Sequence, residues 1–263
     1  MIPAQRRQDI LKLVSAQGTG TIVELSERYG VSEMTIRRDL QALEREGHLK
    51  YTRGGAIIMP RDTLLAEPNY EAKKRQYMGQ KAEIARYAAQ FVVDNDIIIL
   101  ETGTTVTGMV PHLADKENLT IVTNGLLATN ELRMLVPKST VICTGGILRG
   151  VSFTFVGPVA ERFFHEFYAH KLLLSGLGFT LDAGLTDPQM IDTQVKKAMI
   201  ASADQVIVLV DSSKFGIRSF TTVITPDDID ILVTDNGVPA ELVKDLEDRG
   251  VDVRVIDVPD EMV

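Results

Sequence analysis

The chain has little cysteine and no long apolar run. Cys143 is the single cysteine in 263 residues, so an intrachain disulfide is excluded, and its apolar surroundings predict a buried core residue. No apolar stretch reaches membrane-spanning length, and the N-terminus lacks a signal-peptide pattern, which together predict a cytoplasmic protein without membrane contact. The four histidines show no metal-ligand spacing, so we expect neither a metal nor another cofactor.

Charge is unevenly distributed along the chain. The formal net charge is −8 at pH 7, yet residues 1–58 carry nine Lys and Arg against seven Asp and Glu. The remainder carries 19 against 29, so the acidic excess belongs wholly to the second part. The length favours two domains. A weakly basic first domain can bind DNA through grouped arginines, and such binding should depend strongly on salt.

The first 47 residues show three helical patterns. Residues 3–17 place apolar side chains on one face, and the Thr21–Glu24 capping box predicts the start of a second helix. Ser32 and Gly47 are suitable start and stop residues for a third helix. The apolar stripe of this helix consists of Ile36, Leu40 and Leu43. A tight turn between the second and third helices predicts a helix-turn-helix.

The third helix begins with polar side chains that suit the major groove of duplex DNA. Hydroxyl groups contact phosphates or base edges, and arginine forms bidentate hydrogen bonds with guanine. The alternative is an ordinary solvated helix face. The predicted DNA contacts are Arg6, Thr21, Ser32, Glu33, Thr35, Arg37, Arg38, Lys50 and Arg53.

Residues 49–58 predict a β-hairpin after the third helix. Tyr51 and Thr52 favour a strand, and Gly54-Gly55 suits the turn. Lys50 and Arg53 then lie on a wing beside the recognition helix, although a surface hairpin with incidental charge is the alternative. We therefore expect a winged helix-turn-helix domain over residues 1–58. The two prolines and basic end of residues 59–75 predict a linker, followed by the start of a helix.

Residues 76–263 alternate short apolar segments with segments of helical length. This pattern predicts a mostly parallel, doubly wound α/β sheet covered on both faces. The predicted strands are Asp96–Leu100, Leu119–Val122, Thr140–Cys143, Lys171–Leu174, Val206–Val210, Ile229–Val233 and Val251–Ile256.

Polar residues follow five of these strands. Ligands bind at the carboxyl ends of the strands in such a sheet. Glu101-Thr-Gly-Thr-Thr105 leads into a helix, and its glycine, hydroxyls and free amides suit a phosphate. Strand-to-helix turns use the same residues for purely structural reasons. The convergence of five such loops on one edge favours a ligand pocket.

Two sets of motifs resemble the DeoR family of bacterial transcriptional regulators, and the resemblance covers almost the whole chain. The N-terminal match is carried by Gly30-Val-Ser-Glu-Met-Thr-Ile-Arg-Arg-Asp-Leu40, Leu43-Glu44 and Gly54-Gly55-Ala56. The second domain shows, in the family's order, Thr102-Gly-Thr-Thr105, Thr123-Asn124, Gly145-Gly146, Gly157-Pro158, Gly184-Leu-Thr186, Val195-Lys-Lys-Ala-Met199 and Asp211-Ser-Ser-Lys-Phe215.

The resemblance implies a second domain similar to ribose-5-phosphate isomerase and a phosphorylated sugar as the effector. It assigns the phosphate to Gly103, Thr104 and Thr105, and further ligand contacts to Asn124 and Lys214. Arg149 is either a cationic contact or a solvated loop residue. The full predicted effector site is Thr102, Gly103, Thr104, Thr105, Asn124, Gly145, Gly146, Arg149, Gly178, Asp211 and Lys214.

The chain departs from the family pattern at two positions. Many members have an acidic residue where this chain has Gly178, and a glutamate that is common in the family is Asp192 here. Both positions are expected near the pocket, so contacts to the sugar hydroxyls should differ.

The sequence therefore predicts a regulator, most simply a repressor of a carbohydrate catabolic operon, that binds a double-stranded DNA operator as a homodimer or tetramer. The alternative is a sugar-phosphate isomerase-like enzyme. An isomerase-like acidic cluster after the fourth strand is missing, and the spacing of Asp182, Asp187 and Asp192 fits no acid–base pair, so no catalytic residue is predicted.

Overall fold

The computed structural model describes residues 3–17, 19–45, 49–52, 54–58, 64–65 and 67–258. The chain forms two compact units, Met1–Thr63 and Leu64–Val263. Each unit encloses its own apolar core. Across the described ranges, no helix is both long enough and apolar enough to cross a membrane.

The N-terminal unit contains the three predicted helices. They are α1 (Pro3–Gln17), α2 (Ile22–Tyr29) and α3 (Glu33–Arg45). Thr21 caps α2 through a capping box with Glu24, and Gly30 follows α2 as its C-cap. Ile36 and Leu40 of α3 are completely buried, as the stripe predicts. The helix-turn-helix is therefore confirmed.

A three-stranded antiparallel sheet accompanies these helices. Its strands are β1 (Thr19–Thr21), β2 (Leu49–Thr52) and β3 (Gly55–Ile58), in the order β1-β3-β2. The β2–β3 hairpin is the predicted wing. β1 is an addition, because three residues between two helices give no periodic signal.

The second unit is an α/β domain. The helices are α4 (Tyr70–Arg75), α5 (Met78–Ala88), α6 (Thr104–Thr107), α7 (Leu126–Leu132), α8 (Pro158–Phe164), α9 (Met190–Ala201) and α10 (Ala240–Glu247). The strands are β4 (Ile97–Leu100), β5 (Thr120–Thr123), β6 (Thr140–Cys143), β7 (Ile147–Leu148), β8 (Phe155–Val156), β9 (Ala169–Leu174), β10 (Gly178–Thr180), β11 (Gly184–Asp187), β12 (Ala203–Leu209), β13 (Thr221–Ile224), β14 (Ile231–Asp235) and β15 (Asp252–Ile256).

The seven predicted strands form one parallel sheet. Its order is β15-β14-β12-β9-β4-β5-β6, and every neighbouring pair is parallel. Alternate residues of each strand enter different apolar clusters, which also contain α5 on one face and α8, α9 and α10 on the other. The doubly wound α/β prediction is confirmed. Cys143 is half-buried rather than buried, because it ends the edge strand β6.

The second unit also contains two small antiparallel sheets. β7 pairs with β8 as a hairpin, and β10, β11 and β13 form a second sheet. These strands have two to four residues each, so they are too short for a clear alternation of apolar and polar side chains. The sequence pattern did not predict them.

The boundary between the units differs from the predicted linker. Of residues 59–75, those from Leu64 onward belong to the second unit, while residues 59–63 and 66 lie outside the described residues. Asn69 caps α4, and Tyr70 is only 5% exposed because it packs into the second unit. The Tyr70 amide also donates to the Val151 carbonyl at 3.1 Å. The prolines and charges of residues 59–75 predicted a linker, but the part from Leu64 onward belongs to the second unit.

Candidate functional site

The start of α3 presents a polar face away from the apolar core. Ser32, Glu33 and Arg38 are exposed, and Thr35 is half-exposed. Ser32 caps the helix, because its Oγ accepts from the Thr35 amide at 3.3 Å. The same face includes Met34, which is 58% exposed and was not among the predicted DNA contacts. The predicted recognition surface is thus accessible at its N-terminal end.

Arg37 is paired within the same helix. Its Nη2 lies 3.1 Å from Oε2 of Glu33, one helical turn earlier. Both side chains are about half exposed, at 42% and 51%. Such an exposed pair is weak and is easily exchanged for a phosphate or a base edge. Arg37 therefore remains a predicted DNA contact, with Glu33 orienting it in the free protein.

Arg6 occupies a different environment from the predicted phosphate contact. Its Nε lies 2.6 Å from Oδ2 of Asp39, and both side chains are more than nine-tenths buried. The pair joins α1 to α3 inside the N-terminal unit. Arg6 is therefore placed as a structural residue, which also explains why a cation is tolerated in the first turn of α1.

The remaining predicted DNA contacts have separate placements. Thr21 is exposed, and its hydroxyl donates to Oε2 of Glu24 at 2.8 Å within the capping box. Lys50 lies half-exposed on β2 of the wing. Arg53, which the sequence places on the wing, lies outside the described residues. Its role remains a prediction.

In the second unit, several predicted effector residues line one cavity at the carboxyl edge of the parallel sheet. The β4–α6 loop and the residues after β12 supply Thr102, Gly103, Thr104, Thr105 and Lys214. These side chains come from two strands that are separated in the sheet by β9. The convergence of strand ends therefore places these five residues around one space, as expected for a ligand pocket.

Six other predicted residues do not line this cavity, and Arg149 is one of them. Asn124 is buried, and its Nδ2 donates to the Phe155 carbonyl at 3.0 Å. Gly145 and Gly146 have φ values of 66° and 117°, so their loop needs residues without a Cβ atom. Asp211 accepts from the Ser213 amide at 3.1 Å as a cap. Gly178, on β10, is the sixth.

Gly178 has a packing role. A Cβ atom at this position would lie 2.3 Å from the carbonyl oxygen of Ile217. The backbone of the 215–218 turn occupies the space that a side chain would need. This contact gives a physical reason for glycine at this position.

Arg149 bridges two carboxylates beside the cavity. Its Nη2 lies 2.5 Å from Oε2 of Glu67, and its Nη1 pairs with Oδ2 of Asp192. Burial would lower the pKa of Arg149, but these two carboxylates outweigh it and raise the pKa. Glu67 and Asp192 themselves line the cavity. Arg149 is thus neither a solvated loop residue nor a free cation.

Lys196 forms a second bridge, in the floor of the cavity. Its Nζ lies 2.5 Å from Oδ2 of Asp187 and 3.2 Å from Oε1 of Glu101, and it donates to the Ser175 carbonyl at 2.7 Å. Burial alone would lower the pKa of Lys196, but Asp187 and Glu101 raise it, so the side chain is cationic. The network holds the ends of β4, β9 and β11 together through one helix side chain.

Two further lysines face the cavity. Lys81 is 7% exposed, and its Nζ donates to the carbonyls of Gln76, at 2.7 Å, and Lys73. Burial lowers the pKa of Lys81 to about 8; Asp211 opposes this effect, and Lys214 and Lys73 add to it. Burial also lowers the pKa of Lys73. These cations are close enough to influence one another.

The sequence placed Asp192 near the pocket, as the cavity lining shows, but gave no prediction of Glu67, Lys73, Lys81, Glu101, Asp187 and Lys196 as cavity residues. For Lys196 a signal exists, because it shares the apolar face of α9 with Val195 and Met199. Glu101 directly follows a buried strand, which is a second signal. Lys73 and Glu67 lie in the predicted linker, where no sequence signal points to a cavity.

Comparisons with known proteins cover both units of the chain. Residues 6–61 match the DeoR-like helix-turn-helix domain, and residues 76–236 match the DeoR C terminal sensor domain. The chain is 38% identical to the uncharacterised HTH-type transcriptional regulator YulB of Bacillus subtilis over 256 residues, which are 97% of this chain and 98% of that protein. It is 32% identical to the transcriptional regulator GolR of Listeria innocua, covering 97% and 99% of the two chains.

A third relative is the putative aga operon transcriptional repressor of Escherichia coli O157:H7, at 30% identity over 96% of this chain and 94% of that protein. Among solved structures, ribose 5-phosphate isomerase A of Neisseria gonorrhoeae matches 54% of this chain and 55% of its own, with a TM-score of 0.38 and 15% identity. The two domain matches and the full-length relatives agree with the motifs in both units. The chain therefore belongs to the DeoR family of transcriptional regulators, with an N-terminal DNA-binding domain and a C-terminal sensor domain, and not to a family of enzymes.

Proposed function

We propose that the protein represses a carbohydrate catabolic operon and that a phosphorylated sugar or related metabolite releases it from its operator. One relative's name describes it as a putative operon repressor, which supports the sign of regulation. DNA binding and effector sensing follow from the two domains. The operon and the effector are the parts that this proposal adds.

The observation that carries the effector class is a group of three lysines, Lys73, Lys81 and Lys214, around one cavity. Glu67 acts on Lys73 and Asp211 on Lys81. All three lysines line the cavity together with Thr104 and Thr105. A phosphate group offers oxygen acceptors and negative charge to both the ammonium and the hydroxyl groups.

The operator is expected to be read by a homodimer or a tetramer. A two-fold symmetric pair of winged helices matches two half-sites about one helical turn apart. Light scattering of the free protein and of its operator complex gives the stoichiometry. A single protein chain on each operator duplex would contradict this part of the proposal.

The proposal is tested by coupling DNA release to ligand binding. An operator selected from random duplexes is labelled, and the protein is titrated with phosphorylated sugars while anisotropy is measured. The Thr104→Leu and Thr105→Leu variants should bind the operator normally but no longer respond to the sugar phosphate. Thr140→Leu, at an exposed position of β6, is the matched control. A normal response in both cavity variants would contradict the assigned site.

An effector can shift DNA affinity only if it binds the DNA-competent and DNA-incompetent states differently. α4 is a suitable element for that difference, because Lys73 lines the cavity and the helix follows residues 59–66, which join the two units in sequence. Hydrogen exchange of α4 with and without effector should therefore change.

A further inference from the structure

We infer that Glu33 and Arg37 read a cytosine and a neighbouring guanine of the operator as one paired unit, so that Glu33 is a determinant of operator sequence. In helix-turn-helix proteins the second helix of the motif lies in the major groove, and its N-terminal residues contact base edges. That helix is α3, and Glu33 is its first residue. Both residues belong to the DNA-binding domain, so the pair acts independently of the effector.

Arg37 presents the outer edge of its guanidinium group. Its Nε is buried and has no hydrogen-bond partner among the residues that the structure describes, while the side chain as a whole is 42% exposed. Nη2 lies 3.1 Å from Oε2 of Glu33. Guanine offers two acceptors, O6 and N7, which an arginine contacts with a pair of hydrogen bonds. Nη2 carries two protons, so it can bond both Glu33 and guanine.

Glu33 has acceptor capacity beyond its bond with Arg37. The side chain is 51% exposed, and across the described part of the chain no donor bonds its Oε1. Phosphates repel a carboxylate in the groove, so Glu33 binds favourably only where a base offers a donor. Cytosine offers its N4 amine, whereas adenine offers N6 beside the acceptor N7. Because N7 repels a carboxylate, cytosine is the base that suits Glu33.

The two bases should belong to adjoining base pairs. Side chains four residues apart on a helix have Cβ atoms about 5–6 Å apart, and successive base pairs rise by about 3.4 Å. An ion pair joins the ends of Glu33 and Arg37, so the two side chains reach neighbouring positions. Glu33 also disfavours other sequences, because thymine O4 or guanine O6 would place a second acceptor against its carboxylate.

The test exchanges the carboxylate for an amide in the full-length protein. Operators are selected from random duplexes with the native protein, and anisotropy then gives the Kd for every single base-pair change. Replacing the cytosine with thymine should weaken the native protein roughly tenfold. In Glu33→Gln this penalty should shrink to less than about threefold, because an amide can donate to O4. The variant should also accept adenine, since glutamine bonds adenine N6 and N7.

A second variant locates the guanine. Arg37→Ala should lose the preference for one guanine, and that guanine should adjoin the cytosine whose preference Glu33→Gln changes. Glu27→Gln, at an exposed position of α2, is the matched control for loss of one carboxylate charge. It should leave every base preference unchanged. Circular dichroism verifies that each variant is folded, and the operators selected by the native protein test the adjoining cytosine without any substitution.

Three results would overturn the inference. In the first, Glu33→Gln weakens binding to all duplexes by the same factor, which would mean that Glu33 only orients Arg37. In the second, the base preferences lost in the two variants lie more than one base pair apart. In the third, operators selected by the native protein show no cytosine beside the guanine that Arg37 reads.

Discussion

Nε of Arg6 lies 2.6 Å from Oδ2 of Asp39, in the interior of the N-terminal unit. The ion pair joins the first helix to the helix whose opposite face is predicted to read DNA. Removing one member of a buried pair leaves an uncompensated charge, which costs far more than an exposed pair contributes. Replacing Arg6 and replacing Arg38 should therefore have different effects on stability and on DNA binding.

Arg6→Ala should lower the free energy of unfolding of the N-terminal unit by roughly 3–5 kcal/mol. Arg38→Ala should leave stability unchanged but weaken operator binding by roughly 1–3 kcal/mol if the guanidinium contacts a base. Urea titrations followed by circular dichroism, with operator anisotropy on the same proteins, separate the two effects. A stable Arg6→Ala protein that fails to bind DNA would restore Arg6 as a DNA contact.

Met34 is expected to contact thymine methyl groups. It is 58% exposed near the N-terminus of α3, where recognition helices contact base edges, and apolar side chains there pack against the thymine methyl. Loss of one such contact costs about 0.8 kcal/mol, or roughly fourfold in Kd. Replacing operator thymines one at a time with deoxyuridine should weaken the native protein at specific positions.

The Met34→Ala variant should be insensitive to the same deoxyuridine substitutions. Val23→Ala, on the exposed face of α2, is a matched control for loss of an exposed apolar side chain. Equal sensitivity of native and Met34→Ala proteins at every thymine would rule out the contact.

Effector binding should weaken as the pH rises above about 8. Burial lowers the pKa of Lys81 to about 8, so its ammonium is lost above that pH, while a phosphate monoester remains dianionic. A bound anion raises this pKa again, so binding takes up a proton. Calorimetry in two buffers of different ionisation enthalpy measures that uptake, and pH-independent binding from 7 to 9.5 would contradict it.

The free protein should show the opposite trend in stability. The unfolded chain holds the Lys81 proton up to a pKa of about 10.4, whereas the folded chain releases it near 8. Stability from this group therefore rises with pH between these two values. Lys81→Met should flatten the dependence of Tm on pH in this window. Lys171→Met, whose amine pairs with Asp96, should not.

Gly178→Ala should destabilise the sensor domain by roughly 1–3 kcal/mol, because the added Cβ meets the Ile217 backbone. Gly150→Ala is the control, since a Cβ there has open space and no strained backbone. Thermal unfolding with and without a sugar phosphate measures both stability and ligand response. An unchanged Tm with a lost response would instead support the predicted role of Gly178 as a ligand contact.

Elements whose signals are local can be predicted from the amino-acid sequence alone. The Thr21–Glu24 capping box, the Ser32 cap and the apolar stripe of α3 each lie within a few residues, so they predict the helix-turn-helix without tertiary information. The seven apolar runs became the seven parallel strands for the same reason, because a strand buried on both faces needs continuous apolar sequence. The β4–α6 loop could be predicted as part of a ligand site because it directly follows such a strand.

Which charged side chains pair with one another depends on the packing of the folded chain. Arg6 and Asp39 are 33 positions apart, and Arg149 and Glu67 are 82 apart. In sequence, these residues are indistinguishable from solvated surface charges. Whether they pair depends on which helix face packs against which strand end, and that is fixed by burial of the apolar faces elsewhere in the chain. The network of ion pairs around the cavity is a consequence of that packing.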